Sequence, residues 1–600
     1  MGLYGIGPGS YQKNINEEVT FQNNTTKILS RHTVKFGYEL IRTRQNNIDA
    51  VLPSGSYSFG TGGTALPFTP NTGNTFASFL TGAVSSATFT QRIWTRLPRW
   101  WSHGAYVQTD WRTTRNLTLN LGLRYTLETP FRDKWDHQSV FNPTVTDPLT
   151  GLMGAITHPK GGTYKTDRNN FQPRVGMAWN FRRGMVFRGS WGMYTDDVMP
   201  SAGFEEYTAT AVAQQLPGDP RPAFFLSQGP PSRDFRFNPD GTSPFLGTNY
   251  SGRSATFIDS NFQLPYVMNW SAGVQTQFKS TWLVEALYQG SSGVRLNTSA
   301  NFNQLPKSIY DSADLAFKDQ VSRAVQNYRP YTQFGTISYI TNGGHNSYHG
   351  FIARVEKRYA EDGLTLNAHY TWSKNLSGSV GDGWQYYNWR LTKAPTSFDR
   401  RHRIIAQAMY DIPVGKGRKF LSGGGWLDHA LGGWTILIIE TLQSGPPVTF
   451  TFSGSPYRYL PGPSRPNQIL PNDQVKVKNW SMGEHRFPQS AQNPLYNINA
   501  FQYPDALTAG TLGSGTARGL WMIWPQWAIS KDWPIREKMK FSVRCEAMNI
   551  PVRFMDTIPD VTVNLTSPQN FGKFAPQGGS SYSTMGSLNG QLFIMGRFEF

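Results

Sequence analysis

Residues 116–128, NLTLNLGLRYTLE, constrain the chain more than any other stretch. Leu117, Leu119, Leu121, Leu123, Tyr125 and Leu127 share one parity, and Asn116, Thr118, Asn120, Gly122, Arg124, Thr126 and Glu128 the other. A helix would scatter the leucines around its circumference, whereas a strand with one apolar face separates them completely. The same separation recurs. Phe171, Val175, Met177, Trp179 and Phe181 oppose Gln172, Arg174, Gly176 and Asn180; Leu364, Leu366, Ala368, Tyr370 and Trp372 oppose Thr365, Asn367, His369, Thr371 and Ser373. Further on, Met539, Phe541, Val543, Cys545 and Ala547 oppose Lys540, Ser542, Arg544 and Glu546. Segments of roughly 9–13 residues outrun ordinary globular strands and cross a bilayer when tilted.

Strands of this kind vanish in a hydropathy average, because polar and apolar residues cancel. The mean hydropathy is −0.46. No apolar run nears the ~18 residues of a membrane helix; Trp434 to Ile439 contains Thr435 and stops at Glu440. Arg182-Arg183, Lys279-Ser280 and 360–363 read as tight turns, with 413–429 a longer one on the same side. Long segments fall near 45–85, 130–169, 195–264, 291–345, 453–515 and 551–588. Short turns on one side and long loops on the other are the pattern of a transmembrane barrel.

The alternation predicts about fifteen strands in one domain over 1–600. They are placed near 17–28, 32–44, 86–112, 116–129, 170–181, 184–194, 265–278, 281–290, 346–358, 363–375, 398–412, 431–450, 516–531, 538–550 and 590–600, with 86–112 read as one strand bent near Pro98. The expected fold is all-β, an antiparallel transmembrane β-barrel with short periplasmic turns and long extracellular loops. An odd count makes the two edge strands parallel, whereas bacterial single-chain barrels have even numbers and lipid leaves an open edge unsatisfied. The expectation is a barrel that continues upstream. Met1-Gly2-Leu3-Tyr4-Gly5 has neither the basic nor the apolar region of a signal peptide.

The last segment ends on Phe598-Glu599-Phe600, with Leu592, Ile594, Phe598 and Phe600 on the outward parity. A chain that stops on an aromatic in that phase resembles the assembly signal of outer-membrane barrels, which implies that Phe598 and Phe600 engage the barrel-assembly machinery. Trp94, Trp100, Trp101, Trp111, Trp282, Trp434, Trp527 and Trp533 fall at strand ends and are expected in interfacial girdles. Lys35, Glu39, Arg124, Arg174, Arg188, Glu285, Arg354, Glu356, Arg544, Glu546, Arg597 and Glu599 fall on the inward parity, as ion-pair ladders or a solute path. Glu440 and Lys531 break the outward apolar parity. A Lys at mid-membrane costs about 2–4 kcal/mol and a Glu less, so both are expected near strand ends.

His32-Thr33-Val34-Lys35-Phe36-Gly37, Tyr106-Val107-Gln108-Thr109-Asp110-Trp111 and Leu117 to Tyr125 resemble the barrel of TonB-dependent receptors. Tyr370-Thr371-Trp372-Ser373-Lys374, Ser397-Phe398-Asp399-Arg400-Arg401-His402-Arg403, Gly433-Trp434, Gln443-Ser444-Gly445 and Arg544 to Asn549 follow in family order. The similarity is to the Oar-like receptors that carry a carboxypeptidase-regulatory-like N-terminal domain. The resemblance implies a 22-stranded barrel, a plug, a TonB box and a signal peptide. It also implies that this polypeptide holds the last fifteen or so strands and does not transport alone.

The function expected is recognition without catalysis: an outer-membrane receptor binding a bulky ligand in its extracellular loops for TonB-energised uptake. Trp384, Tyr386, Tyr387 and Trp389 are candidate ligand-stacking residues. Asp399, Arg400, Arg401 and Arg403 read as a barrel-entry network. Phosphate-loop, H-E-x-x-H and G-x-S-x-G motifs are absent. No cofactor or metal is expected; His345 and His349 lie ~13 Å apart along a strand and read as loop or lumen histidines. Expected partners are outer-membrane lipid, lipopolysaccharide phosphates met by basic loop groups, and the TonB complex through the upstream region. The net charge of +18 shows no K/R-rich run, so nucleic acid is not among them. The rivals are a structural or adhesive barrel, an outer-membrane barrel enzyme and a secreted soluble β-protein. Lone Cys545, on the outward parity, reads as a small apolar residue.

Overall fold

The computed structural model describes residues 11–50, 55–66, 69, 72–92, 96–147, 150–196, 208–214, 221–229, 253–378, 392–423, 425–453, 465–478, 480, 493–508, 510–536, 539–548, 550, 559–574 and 591–600. Fifteen long strands form one meander. They are β1 (Tyr11–Ile28), β2 (His32–Ala50), β3 (Pro98–Arg112), β4 (Leu117–Glu128), β5 (Phe171–Arg182), β6 (Met185–Thr195), β7 (Tyr266–Phe278) and β8 (Trp282–Asn301). Then come β9 (Phe334–Lys357), β10 (Leu364–Gly378), β11 (His402–Asp411), β12 (Trp434–Gln443), β13 (Met522–Arg536), β14 (Met539–Met548) and β15 (Gln591–Glu599). Each pairs antiparallel with the next. Three short strands raise the described sheet to 18: Arg132–Asp133, Arg253–Ile258 and Ala394–Pro395. Among the described residues no ladder joins β1 to β15.

The register carries the sequence parity from strand to strand. Val107 pairs with Leu123 and with Phe36, and Leu121 with Val175. These apolar residues stay open: Val107 is 50% exposed, Val175 49% and Phe36 46%. A soluble sheet would cover such a face, so its exposure marks it as the lipid-facing wall. The buried apolar clusters lie elsewhere, in the long connections and the outward extension of β9.

Glycines on one strand let side chains from a second strand cross it. Trp270 of β7 lies over Gly290 of β8, where an added Cβ would overlap the indole. Tyr106 of β3 crosses β2 at Gly37, and its hydroxyl donates to Asn24 Oδ1 of β1 at 2.6 Å. Such aromatic cover pins register where a glycine adds no side-chain contact of its own.

Several expected boundaries are corrected. The segment 86–112 is not one bent strand: Ser86–Arg92 pairs with Thr208–Gln214 and Ser56–Ser58 in a separate sheet, and β3 begins at Pro98. Pro98 lacks the N–H that a continuing ladder needs, and suits a first strand position. The expected strand 431–450 ends at Gln443, and Pro447–Val448 pairs with Ala517–Arg518 in the outer cap. β8 and β9 run well beyond the expected 281–290 and 346–358. The β8 extension is largely polar, while that of β9 carries Phe334 and Ile337 into a buried cluster, so neither keeps the one-faced alternation of the wall.

Trp100 is not in a girdle. It lies on the inward parity, half-buried against Phe131 and Ile258; Trp94 lies outside the described residues. His349 is neither a loop nor a lumen residue. It shares the outward parity of Phe351 and pairs with Lys374. Lys531 sits opposite Trp434, the first residue of β12, and there its ammonium donates to the His429 carbonyl and stands 5.0 Å from the Trp533 ring centroid. Glu440 is not at a strand end but three residues inside the outer end of β12. Its carboxylate accepts from the Trp527 indole at 3.3 Å, so Trp527 serves Glu440 there.

Candidate functional site: outer cap and lumen wall

The turns after β1, β3, β5, β7 and β9 are short, and every long outer connection leaves the opposite end. The connections after β12 and β14 fold together rather than trailing as loops. Val448, Phe450, Leu495, Tyr496, Phe501 and Phe571 are buried in one cluster. Phe450 packs on Tyr496 at 5.0 Å and Phe501 at 4.6 Å between ring centroids. Full burial of a side chain this size contributes about 1.5–3 kcal/mol, enough for such a cap to hold a shape. Burial also raises the Tyr496 phenol above its ordinary pKa, and its hydroxyl donates to the Arg518 carbonyl at 3.0 Å.

Asp399 ties this cap to the wall. Its side chain is buried, one oxygen accepts from the Asn375 amide at 2.6 Å, and the other pairs with the Arg518 guanidinium. Asn375 belongs to β10 and Arg518 to the cap. Of the expected entry network, Asp399 thus anchors the cap, and Arg403 enters β11 on the inward parity.

Beside the core opens a cleft of about 660 Å³. Lys476, Lys478 and Lys573 line it together with Asp473 and Tyr496; Asp473 stands 3.8 Å from Lys478. Three ammonium groups against one carboxylate favour an anionic occupant. The sequence carries no short-range sign of this cleft, because its lysines come from two connections nearly a hundred residues apart. Trp384, Tyr386, Tyr387 and Trp389 lie outside the described residues.

The inward parity is charged and paired. Arg124 of β4 crosses Gly104 of β3 to reach Glu39 of β2 at 2.8 Å. Arg354 bonds Glu356 at 3.0 Å and faces Glu285 across the ladder, and Arg544 pairs with Glu546. At the mouth opposite the cap, Lys540 holds Glu599 at 3.1 Å, and Glu599 also takes Arg597 at 2.9 Å. Phe598 and Phe600 meet at 4.9 Å on the outward face, beside Phe541. Among the described residues no group of three or more His, Cys, Asp or Glu is placed to hold a metal.

A second outer connection is fixed by Asp133 and Asp136. Buried Asp133 accepts from the Leu97 amide at 2.7 Å, and Asp136 takes Arg132 through both oxygens at 2.8 and 2.9 Å and the Gly161 amide at 3.0 Å. The Arg132 hydrogen bonds hold the Asp136 carboxyl below the usual carboxylate range. A depressed folded pKa means the contact is fully present above the unfolded value and is lost as pH falls through the folded one. Protection of the Gly161 amide, followed by hydrogen exchange, is therefore expected to hold from neutral pH down through the usual carboxylate range and to fall below it. Asp136→Asn should lack that step; an unchanged step in the variant would assign it to another group.

The sequence profile described as "Outer membrane beta barrel domain" matches residues 1–584. No curated protein matches the chain. Among solved structures, similarity extends to the outer membrane transporter YddB from Escherichia coli, at 10% identity and a TM-score of 0.45, over 94% of this chain and 53% of that one. Pseudomonas aeruginosa FpvA, solved with heterologous pyoverdines, is 10% identical with a TM-score of 0.43, over 100% and 51%. The ferric citrate transporter FecA is 9% identical with a TM-score of 0.41, over 98% and 55%. The chain spans about half the length of these proteins.

Proposed function

Because the chain belongs to the family of outer membrane beta barrel domains, and so sits in the bacterial outer membrane, we propose that it forms the wall and outer cap of a receptor-transporter. The cap captures a bulky anionic solute, the charged lumen passes it inward, and a TonB-type complex supplies energy through a plug outside this chain. The observation that carries this reading is the lysine-lined cleft in a cap anchored to the wall by Asp399. The inward ion pairs support it, since polar walls tolerate a moving charged solute better than apolar ones. No step requires a covalent change, so the reading is of binding and transport rather than catalysis. We also propose that Phe598 and Phe600 present the closing strand to the assembly machinery.

A fluorescent sulfated oligosaccharide and its unsulfated counterpart test the cleft on cells displaying the protein in its native membrane. The sulfated probe should bind at least about tenfold more tightly than the neutral one, a preference expected of several partly desolvated ion pairs. Lys476→Gln with Lys478→Gln and Lys573→Gln should remove most of that preference. Accumulation behind the membrane should stop when an uncoupler collapses the proton gradient, while surface binding persists. Equal binding of both probes would defeat the cleft assignment, and uncoupler-resistant accumulation would defeat energised uptake.

A further inference from the structure

Three histidines recur in one arrangement on the lipid-facing parity. His103 of β3 shares a hydrogen bond between Nδ1 and the Tyr38 hydroxyl of β2, at 2.8 Å, and its ring stacks with Trp101 at 6.4 Å. His349 of β9 makes the same bond with Tyr288 of β8 at 2.7 Å and meets the Trp270 ring at 6.0 Å. His402 of β11 makes it with Tyr370 of β10 at 2.7 Å and stacks on Trp521 at 6.2 Å. Each time the tyrosine comes from the preceding strand and the nitrogen engaged is Nδ1. With the phenol donating, the imidazole proton resides on Nε2, for which no protein partner is found among the described residues.

The three stand at one level. His103 lies nine residues from the Arg112 end of β3, His349 eight from the Lys357 end of β9, and His402 nine from the Asp411 end of β11. All three ends are on the short-turn side. At ~3.3 Å per residue and a tilt near 40°, the rise is roughly 20–23 Å, close to the ~25 Å apolar band of such barrels. The opposite rim of that band carries its own aromatics: His32 stacked on Trp111, Phe278 on Trp282, and Trp434 against Trp533. The histidines therefore sit where hydrocarbon gives way to outer-leaflet headgroups. Cations accompany them: the Arg42 guanidinium stands 4.9 Å from the Trp101 centroid, and exposed Lys374 is the ladder partner of His349.

An interfacial girdle accounts for the tryptophans and tyrosines. It does not account for a histidine held through the same nitrogen three times at one height. We propose that these Trp–Tyr–His sites bind the phosphate groups of outer-leaflet lipid headgroups, with Nε2–H as donor and Arg42 and Lys374 adding charge. Charge-assisted hydrogen bonds to phosphate are the strong ones, and the tyrosine fixes the ring so that the donor faces the lipid. The proposal rests on the outer-membrane placement alone and concerns the outside of the wall, so its failure leaves the uptake reading standing.

The test uses the full chain in detergent micelles and measures, by native mass spectrometry, retention of bisphosphorylated lipid A against the same lipid stripped of phosphate. The phosphorylated lipid should be retained about tenfold better. His103→Phe, His349→Phe and His402→Phe together should bring it near the phosphate-free level and leave the latter unchanged. Should that variant fail to fold, Tyr38→Phe, Tyr288→Phe and Tyr370→Phe keep every ring while removing the bond to Nδ1, and should lower the preference several-fold. Excess inorganic phosphate should leave the lipid bound. Equal retention of both lipids by the unmodified chain, an unchanged preference in the folded variants, or displacement by free phosphate would each overturn the proposal.

Discussion

Asp399→Ala should free the outer cap from the barrel wall and lower its stability by about 3 kcal/mol. Breaking a buried ion pair costs roughly 3–5 kcal/mol when a charge is left uncompensated. Arg518 keeps 30% of its side chain exposed, so the lower end applies. The loss is compounded because the Asn375 amide loses its acceptor as well. Urea titration of the folded chain, followed by proteolysis within 493–520, is the measurement. The variant should be cut at lower urea than the parent while the strands remain protected, and cleavage at the parent's urea concentration would show that the cap is held by its apolar core alone. Asp399→Asn should fall between, keeping the amide acceptor while losing the charge.

Gly290→Val should strongly destabilise the wall. The added Cβ would overlap the Trp270 indole, which lies across Gly290 to reach His349 and Tyr288. Overpacking costs about 1–3 kcal/mol, and here the displaced ring also loses its aromatic partners, each worth ~0.5–1.5 kcal/mol. A total of about 3 kcal/mol is expected, read as the shift in urea midpoint of the barrel in lipid vesicles. Gly596→Ala is the control: its Cβ would meet Phe541 at 3.6 Å, an ordinary contact. Equal midpoints for the two variants would remove the crossing-ring account.

These two sites also mark what alternation discloses and what it hides. Leu117 to Glu128 announces a strand because every second residue is apolar and its neighbours are polar. His349 could have been placed the same way: Phe351, Ala353 and Val355 follow it on one parity. Its neighbours Asn346, Ser347 and Gly350 give the segment the look of a loop or lumen stretch instead. The cap was not legible. Phe450, Tyr496 and Phe571 stand in segments without periodicity, and their burial depends on pieces far apart in sequence. Asp399 was visible as part of an acidic–basic run, but its partner Arg518 lies more than a hundred residues on. The strand break before Pro98 has no local signature, because a separate small sheet claims Ser86–Arg92 by pairing with Thr208–Gln214, a contact no local pattern encodes.

One contact in the cap has a mechanical consequence. Leu507, from the connection between β12 and β13, is fully buried among Leu305, Ile309, Tyr310 and Val321, from the connection between β8 and β9. Two points on the rim, separated by the arc of β9 to β12, are thus tied by a dry apolar knot. Such a tie works as a bowstring does on a bow. Lateral pressure from the bilayer that would flatten the arc appears as tension across the knot, and the curvature of this part of the wall becomes a property of the cap as much as of strand twist.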